Sequence, residues 1–252
     1  MPNILLIPTS FERSFIEKSL NEPARFPAPP PPNATSGHAA SSSDAVSNWR
    51  IELCGFGLVA AAACAARAIE RYQPHRVILM GIAGSLDPSL EIGSAHAFDR
   101  VTCHGIGVGG SLDAKHLSAD QLGWAHCEAE SNEESRSASP AITDTLTIEA
   151  PRRLSAQALS RERHLLSVTT ASADESEAAR RRALYPSAMA EDMEGFAVAL
   201  ACARACVPLT IVRGISNLAG DRDHSRWQVE ESLCAAVMLV KAITSVTHDR
   251  LR

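Results

Sequence analysis

Four short apolar or β-rich runs, each closed by turn or polar residues, constrain this chain more than any other feature. Asn3–Ile7 stops at Pro8, and Arg76–Met80 runs into the glycine-rich Gly81–Leu86. Leu165–Thr170 gives way to small polar residues, and Pro208–Ile215 leads into Ser216 and Asn217. Runs of this length without polar alternation suit strands buried on both faces of a covered sheet. Helix-forming segments lie between them. An Ala-rich stretch, Leu58–Tyr72, is opened by Gly55-Phe56-Gly57 and ends before Pro74, Ala173–Leu184 reads as a helix, and Trp227–Val246 is long and amphipathic. Trp49–Cys54 and Ser94–Cys103 supply further strands, the latter followed by a glycine-rich turn, Gly105–Gly110. Alternating strands and helices predict an α/β sheet with helices on both faces.

At 252 residues the chain is long enough for one large core, and a single domain is expected. Two tracts interrupt the pattern. Residues 22–47 are rich in Pro, Ala, Ser and Asn and include Pro29-Pro30-Pro31-Pro32, while 127–143 is polar, acidic and Ser-rich. Neither carries enough apolar surface to order itself, so both are read as surface loop insertions.

Charge and cysteine usage exclude several classes. The formal net charge is −5, and the one tight basic cluster, Arg180-Arg181-Arg182, lies on an expected helix, which argues against a nucleic-acid partner. The seven cysteines lie far apart with no Cys-x-x-Cys pair, so reduced thiols in a cytoplasmic protein are expected. Residues 2–11 are apolar but have no basic lead, and no run approaches the ~20 apolar residues of a membrane span, so neither secretion nor membrane insertion is expected. His104, His116, His126 and His224 lack metal-ligand spacing, and Cys202 and Cys206 read as small apolar side chains, so no metal is expected.

Chemistry concentrates in Ala190-Glu191-Asp192-Met193-Glu194-Gly195-Phe196-Ala197-Val198-Ala199-Leu200-Ala201, where acids flank a Met just before an Ala-rich helix. Acids at a helix start also have a plain explanation, a favourable interaction with the helix dipole of ~0.3–1 kcal/mol each. The run nevertheless resembles the (E/D)-M-E-(G/A)-x-A-(V/I)-A signature of the nucleoside phosphorylase and nucleosidase superfamily. The resemblance implies that Glu194 holds the ribose hydroxyls and Met193 lies under the sugar, with Asp192 beside them. A carboxylate suits this work because it accepts protons from both hydroxyls of a cis-diol and favours the positive charge growing on the sugar.

Downstream, Pro208–Asn217 resembles the family strand VP-x-x-x-(V/I)-R-x-I-S-(D/N), which brings its last residue to the purine. The adenine-cleaving nucleosidases end this strand in Asp, a proton donor; this chain has Asn217, and the 6-oxopurine phosphorylases resemble it in using Asn. An amide donates a hydrogen bond to the ring nitrogen without protonating it, which favours a hypoxanthine-type base. A strand-end Asn that only makes a turn is the alternative. The following Leu218–Asp223 resembles the loop after the strand-end Asn in futalosine hydrolases; there Asp221 and Arg222 either orient substrate or pair at a surface. Trp227 either covers the far end of the substrate or fills the core.

Weaker resemblances complete the set. Pro8-Thr9-Ser10-Phe11-Glu12-Arg13 places Glu12 where family members carry the glutamate that activates the attacking water; an exposed acid at a helix start is the alternative. Gly81–Leu86 resembles a family loop bordering the site of water or phosphate, implicating Gly84 and Ser85. Val168–Glu175 resembles a segment near the base in futalosine hydrolases, implicating Thr170 and Ser172. The phosphorylases carry G-x-P-x-R after the first strand, and PTSFER in its place favours water as the nucleophile, with Arg13 keeping phosphorolysis open.

The resemblance implies a single-domain, three-layer α/β/α nucleoside phosphorylase-like fold with a central mixed, twisted sheet. It further implies hydrolysis of the N-ribosidic bond of futalosine to hypoxanthine and dehypoxanthine futalosine, in menaquinone synthesis. No cofactor is implied, the partner is a small purine nucleoside, and a homodimer is expected by analogy. The alternatives are a purine nucleoside phosphorylase, a methylthioadenosine/S-adenosylhomocysteine-type nucleosidase, and a catalytically silent nucleoside-binding module.

Overall fold

A computed structural model describes residues 1–21, 49–109, 116–132, 137–148 and 163–245; the 22–47 tract lies outside the described residues. The elements are β1 (Asn3–Ile7), α1 (Ser10–Asn21), β2 (Trp49–Leu53), α2 (Gly57–Tyr72), β3 (Arg76–Ser85), β4 (Ala95–Phe98) and β5 (Arg100–His104). There follow β6 (Gly107–Val108), β7 (Leu117–Ser118), β8 (Glu130–Asn132), β9 (Ser137–Ser139), β10 (Thr145–Thr147) and β11 (His164–Val168). The chain continues through α3 (Glu175–Leu184), β12 (Ala188–Asp192), α4 (Gly195–Arg204), β13 (Leu209–Leu218) and α5 (Val229–Ser245).

Alternate residues of the buried strands feed two different cores, as a period of two requires. Ile4, Leu6, Val77, Leu79 and Ile211 pack with Ala61 and Ala65 of α2 and Phe196 to Cys202 of α4. Leu5, Ile7, Ile78, Met80 and Val212 pack with Ile16 of α1 and Leu233 to Val240 of α5 on the other face. The continuous apolar runs therefore have helices on both sides, as the sequence predicts.

The mixed, nine-stranded main sheet is organised around β3. Along one edge β13 runs parallel to it from Val77 to Ser85, and β4 adds antiparallel to β13. The other edge is shared. Parallel β1 covers Arg76–Leu79, and antiparallel β12 covers Gly84 and Ser85, leading outward to β11, β5 and β10. Between these partners, residues 80–83 of β3 have no strand neighbour on that edge among the described residues, and the candidate site forms in this gap.

The structure corrects several expectations. Gly81–Leu86 is not a loop, because β3 continues to Ser85, with β13 and β12 satisfying its backbone. Ser94–Cys103 breaks at Asp99 into two strands that pair with different partners, β4 with β13 and β5 with β10 and β11. Within 127–143, Glu130–Asn132 pairs with Ser137–Ser139 and Cys127 bridges Ile142, so this tract contains a hairpin. The residues just before Met193 form a buried strand, β12, which the sequence pattern does not reveal. Trp227 lies before α5 and outside the core clusters; it donates to the Asp221 carbonyl at 3.0 Å. All seven cysteines are free. Among the described residues no helix is long and apolar enough to cross a membrane.

Candidate active site

The gap beside β3 is filled by charge. Glu12, in the first turn of α1, is only 4% exposed. Its Oε2 accepts from the Thr9 amide at 3.1 Å and hydroxyl at 2.7 Å, and its Oε1 accepts from the Ile82 amide at 3.0 Å. Glu12 thus takes a backbone donor that the split edge leaves unpaired, which an exposed helix-start acid would not do. Gly81 makes room: a Cβ there would lie 2.7 Å from Glu12 Oε1 and would also strike the Arg213 guanidinium.

Glu194 enters from the end of β12. Its Oε1 accepts from the Gly57 amide at 3.0 Å and its Oε2 lies 3.2 Å from Arg213 Nη2. Gly57, at φ +82°, uses a backbone conformation that L residues rarely adopt as it opens α2.

Arg213 is completely buried in the middle of β13. Its Nε donates to Asp192 Oδ2 at 3.0 Å and its Nη2 to the same oxygen at 2.5 Å. Asp192 also accepts from the Gly195 amide at 2.8 Å and the Ser167 hydroxyl at 2.5 Å, so both of its oxygens are committed to protein groups. Its place is behind Glu194, fixing Arg213 and the start of α4. Arg213 Nη1 is buried with no hydrogen-bond partner among the described residues and lies on the Gly81 and Glu12 side. Arg213 is not among the site residues expected from the sequence; its signal there is an arginine inside a largely apolar strand, where an unpaired charge is prohibitively costly.

Glu12, Asp192 and Glu194 thus surround a single guanidinium. Burial pushes the Glu194 carboxyl up to about 7, only partly opposed by Arg213 and reinforced by Asp192 and Glu12. Burial works against the Arg213 charge, yet the three carboxylates hold its pKa above the ordinary guanidinium value. The site therefore carries more negative than positive charge, and an added cation would relieve the imbalance.

Asn217 reaches the same region along the other edge of β3. Gly84 pairs in register with Glu191 on β12 and Asn217 on β13, which places those two backbones about two strand spacings, roughly 10 Å, apart. Asn217 Oδ1 accepts from the Ser216 hydroxyl at 2.8 Å and Nδ2 donates to the Leu218 carbonyl at 2.7 Å. An amide nitrogen has two hydrogens, so one remains for a ligand. Met193 packs, partly buried, against the cluster of Leu86, Leu166, Val168, Ala178, Ala188 and Ala219.

Other expected site residues are committed elsewhere. The Ser85 hydroxyl donates to the Asp87 carbonyl at 2.7 Å. Ser172 is fully buried and bonds Glu191 through both its amide and its hydroxyl, while Thr170 is exposed and its carbonyl accepts from Arg181 at 2.8 Å. Asp221 pairs with Arg226 at 2.6 Å, the surface-pairing alternative, and Arg222 donates to the Ser172 carbonyl at 3.4 Å.

Fold and site define an α/β protein with a buried charged cluster near converging strand ends, the usual place for a small-molecule site. The chain belongs to the phosphorylase superfamily, whose sequence model matches residues 46–247. It is 29% identical over 208 residues to the futalosine hydrolase of Streptomyces coelicolor, covering 80% of each chain. It is 28% identical over 206 residues to the 5′-methylthioadenosine/S-adenosylhomocysteine nucleosidase of Mycobacterium bovis, covering 77% of this chain and 80% of that one. Its structure matches the adenine complex of the 5′-methylthioadenosine/S-adenosylhomocysteine nucleosidase from Colwellia psychrerythraea 34H with a TM-score of 0.65 at 18% identity, covering 96% and 94% of the two chains. It matches the futalosine hydrolase of Helicobacter pylori 26695 with a TM-score of 0.66 at 16% identity, covering 96% and 97%. The mixed-sheet nucleoside phosphorylase-like fold expected from the sequence is the fold observed.

Proposed function

We propose that this chain is an N-ribosidic nucleosidase that hydrolyses futalosine, releasing hypoxanthine and dehypoxanthine futalosine in menaquinone synthesis. The observation that carries the reading is the set of Glu12, Asp192 and Glu194 around the single cation Arg213. Cleavage of an N-ribosidic bond builds positive charge on the sugar, and a buried site with surplus negative charge stabilises that state more than the neutral substrate. Glu194 accepts the ribose hydroxyl protons, and Asn217 holds the purine ring nitrogen with its remaining N–H. Glu12, fixed by Thr9 and Ile82, takes a proton from the water attacking the anomeric carbon; such general-base help is worth ~10²–10⁴-fold. The purine, leaving as an anion held by the Asn217 N–H, takes a proton from solvent to become hypoxanthine. Met193 supports the sugar, and Asp192 positions Arg213 and Glu194.

Two observations favour this reading over its neighbours. Asn217 in place of Asp removes the acid that would protonate an adenine leaving group, which argues against the methylthioadenosine-type reaction. Arg13, the cation that would serve phosphorolysis, pairs with Glu17 at 2.7 Å on the surface of α1. By family analogy the protein acts as a cytoplasmic homodimer.

The test is base release from futalosine, inosine and methylthioadenosine, with and without phosphate, followed by chromatography of purine and sugar. Hypoxanthine from futalosine without phosphate supports the proposal. Phosphate dependence assigns the chain to phosphorolysis, adenine release from methylthioadenosine assigns the other nucleosidase activity, and no release from any substrate leaves a binding module.

A further inference from the structure

The loop after β11 is held from behind by a buried ion-pair network that the reaction above does not use. Arg181 of α3 is only 3% exposed. Its Nη1 donates to Glu191 Oε2 at 2.7 Å and Ser172 Oγ at 2.9 Å, and its Nη2 to the Thr170 carbonyl at 2.8 Å and Glu177 Oε1 at 2.6 Å. Glu191 in turn accepts from the Ser172 amide at 2.8 Å and hydroxyl at 2.7 Å. The Ser172 carbonyl accepts from Arg222, so every polar group of Ser172 is engaged within the protein.

The same loop is braced from the opposite side by the segment after Asn217. Gly220 packs directly against the Asp174 backbone, and a Cβ on it would lie 2.7 Å from the Glu175 nitrogen. The uncommitted polar groups of Thr170 and Ala171, among the described residues, are the Thr170 amide and hydroxyl and the backbone N–H and C=O of Ala171. One residue's backbone offers a donor and an acceptor side by side, which matches the O6 and N1–H edge of a 6-oxopurine. Such an edge discriminates between bases only if it cannot shift to suit another, and a buried ion pair whose Nη1 and Nη2 each make two hydrogen bonds is suited to fixing geometry.

We propose that Arg181 and Glu191 are positioning residues for base recognition, locking the Thr170–Ser172 loop so that its free edge selects a 6-oxopurine. This rests on the nucleosidase reading above. It assigns a role to a carboxylate one residue before the family motif and to an arginine on a helix that the sequence gives no reason to connect with it.

The experiment compares hypoxanthine and adenine nucleosides as substrates of the full chain carrying Arg181→Met. The expected result is a KM for the hypoxanthine nucleoside raised about tenfold, a kcat within about threefold of the parent, and a hypoxanthine preference in kcat/KM reduced about tenfold. Arg181→Lys should recover part of the preference. Because Arg181→Met leaves Glu191 buried without its cation, Arg181→Met/Glu191→Met provides a second variant without an isolated charge, and the same loss of preference is expected. Variants that melt at lower temperature yet keep KM and base preference would overturn the proposal, reducing the pair to a packing role. A parent protein that releases no base from any nucleoside would overturn this proposal together with the reading it rests on, whereas an active parent with unchanged variant preference overturns this one alone.

Discussion

Glu194→Gln tests the charge balance of the site most directly. The amide oxygen still accepts from the Gly57 N–H, but the negative charge facing the sugar is gone. The lost transition-state contact should lower kcat about 10²–10³-fold, the scale measured when one preorganised electrostatic partner is removed. The pH profile carries the sharper signature. With the Glu194 carboxyl at about 7, the parent's kcat/KM should fall on the acid side of neutrality, about tenfold per pH unit once well below that value. In the variant this limb should vanish, leaving a low, flat profile. Stability should move the opposite way. A carboxyl with a raised folded pKa weakens folding as pH climbs from its ordinary 4.5 through about 7, because the unfolded chain releases the proton first. Removing that carboxyl should therefore leave the protein at least as stable at pH 8, by on the order of 3 kcal/mol at most. Steady-state kinetics from pH 5 to 9 with parallel thermal melts read both effects. An acid limb that survives in Glu194→Gln would refute the assignment and shift the titration to another group.

Three further outcomes follow from the geometry. Arg213→Met leaves three buried carboxylates without their cation and should cost about 3–5 kcal/mol in a denaturant melt; adding Asp192→Asn should recover part of it, and additive losses would contradict the ion-pair account. Gly81→Ala drives a methyl group against Glu12 and Arg213, so kcat should fall at least about tenfold while the melting temperature changes by only a few degrees; unchanged turnover would mean that Glu12 is free to move aside. Asn217→Ala removes the N–H assigned to the purine and should lower turnover by at least ~10²-fold, and near-normal turnover would take Asn217 off the catalytic set.

Much of this was legible without coordinates because the information is local. Continuous apolar runs mark strands covered on both sides, and the helices on both faces are there. The Met193 and Glu194 motif and the strand ending in Asn217 are contiguous patterns, and their resemblance to the superfamily matches the family to which the chain belongs. Less legible were features set by long-range pairing. The glycine stretch after Met80 reads as a loop, since glycines are poor strand formers, but β13 and β12 satisfy its backbone and draw it into β3. Ser94–Cys103 reads as one strand because nothing in its own composition shows that its halves have different partners.

What the sequence determined by itself is most of the strands and helices, the layered class, and many of the residues whose chemistry suits a ribosyl transfer, because periodicity and residue type are properties of short segments. Which of those residues meet was decided by the tertiary structure alone. The split edge of β3 brings Glu12 from the first helix, Glu194 from the end of β12 and Arg213 from β13 into one buried cluster. It also commits Asp192 and Ser172 to hydrogen bonds within the protein, since each buried polar group must find its partners wherever the fold places them.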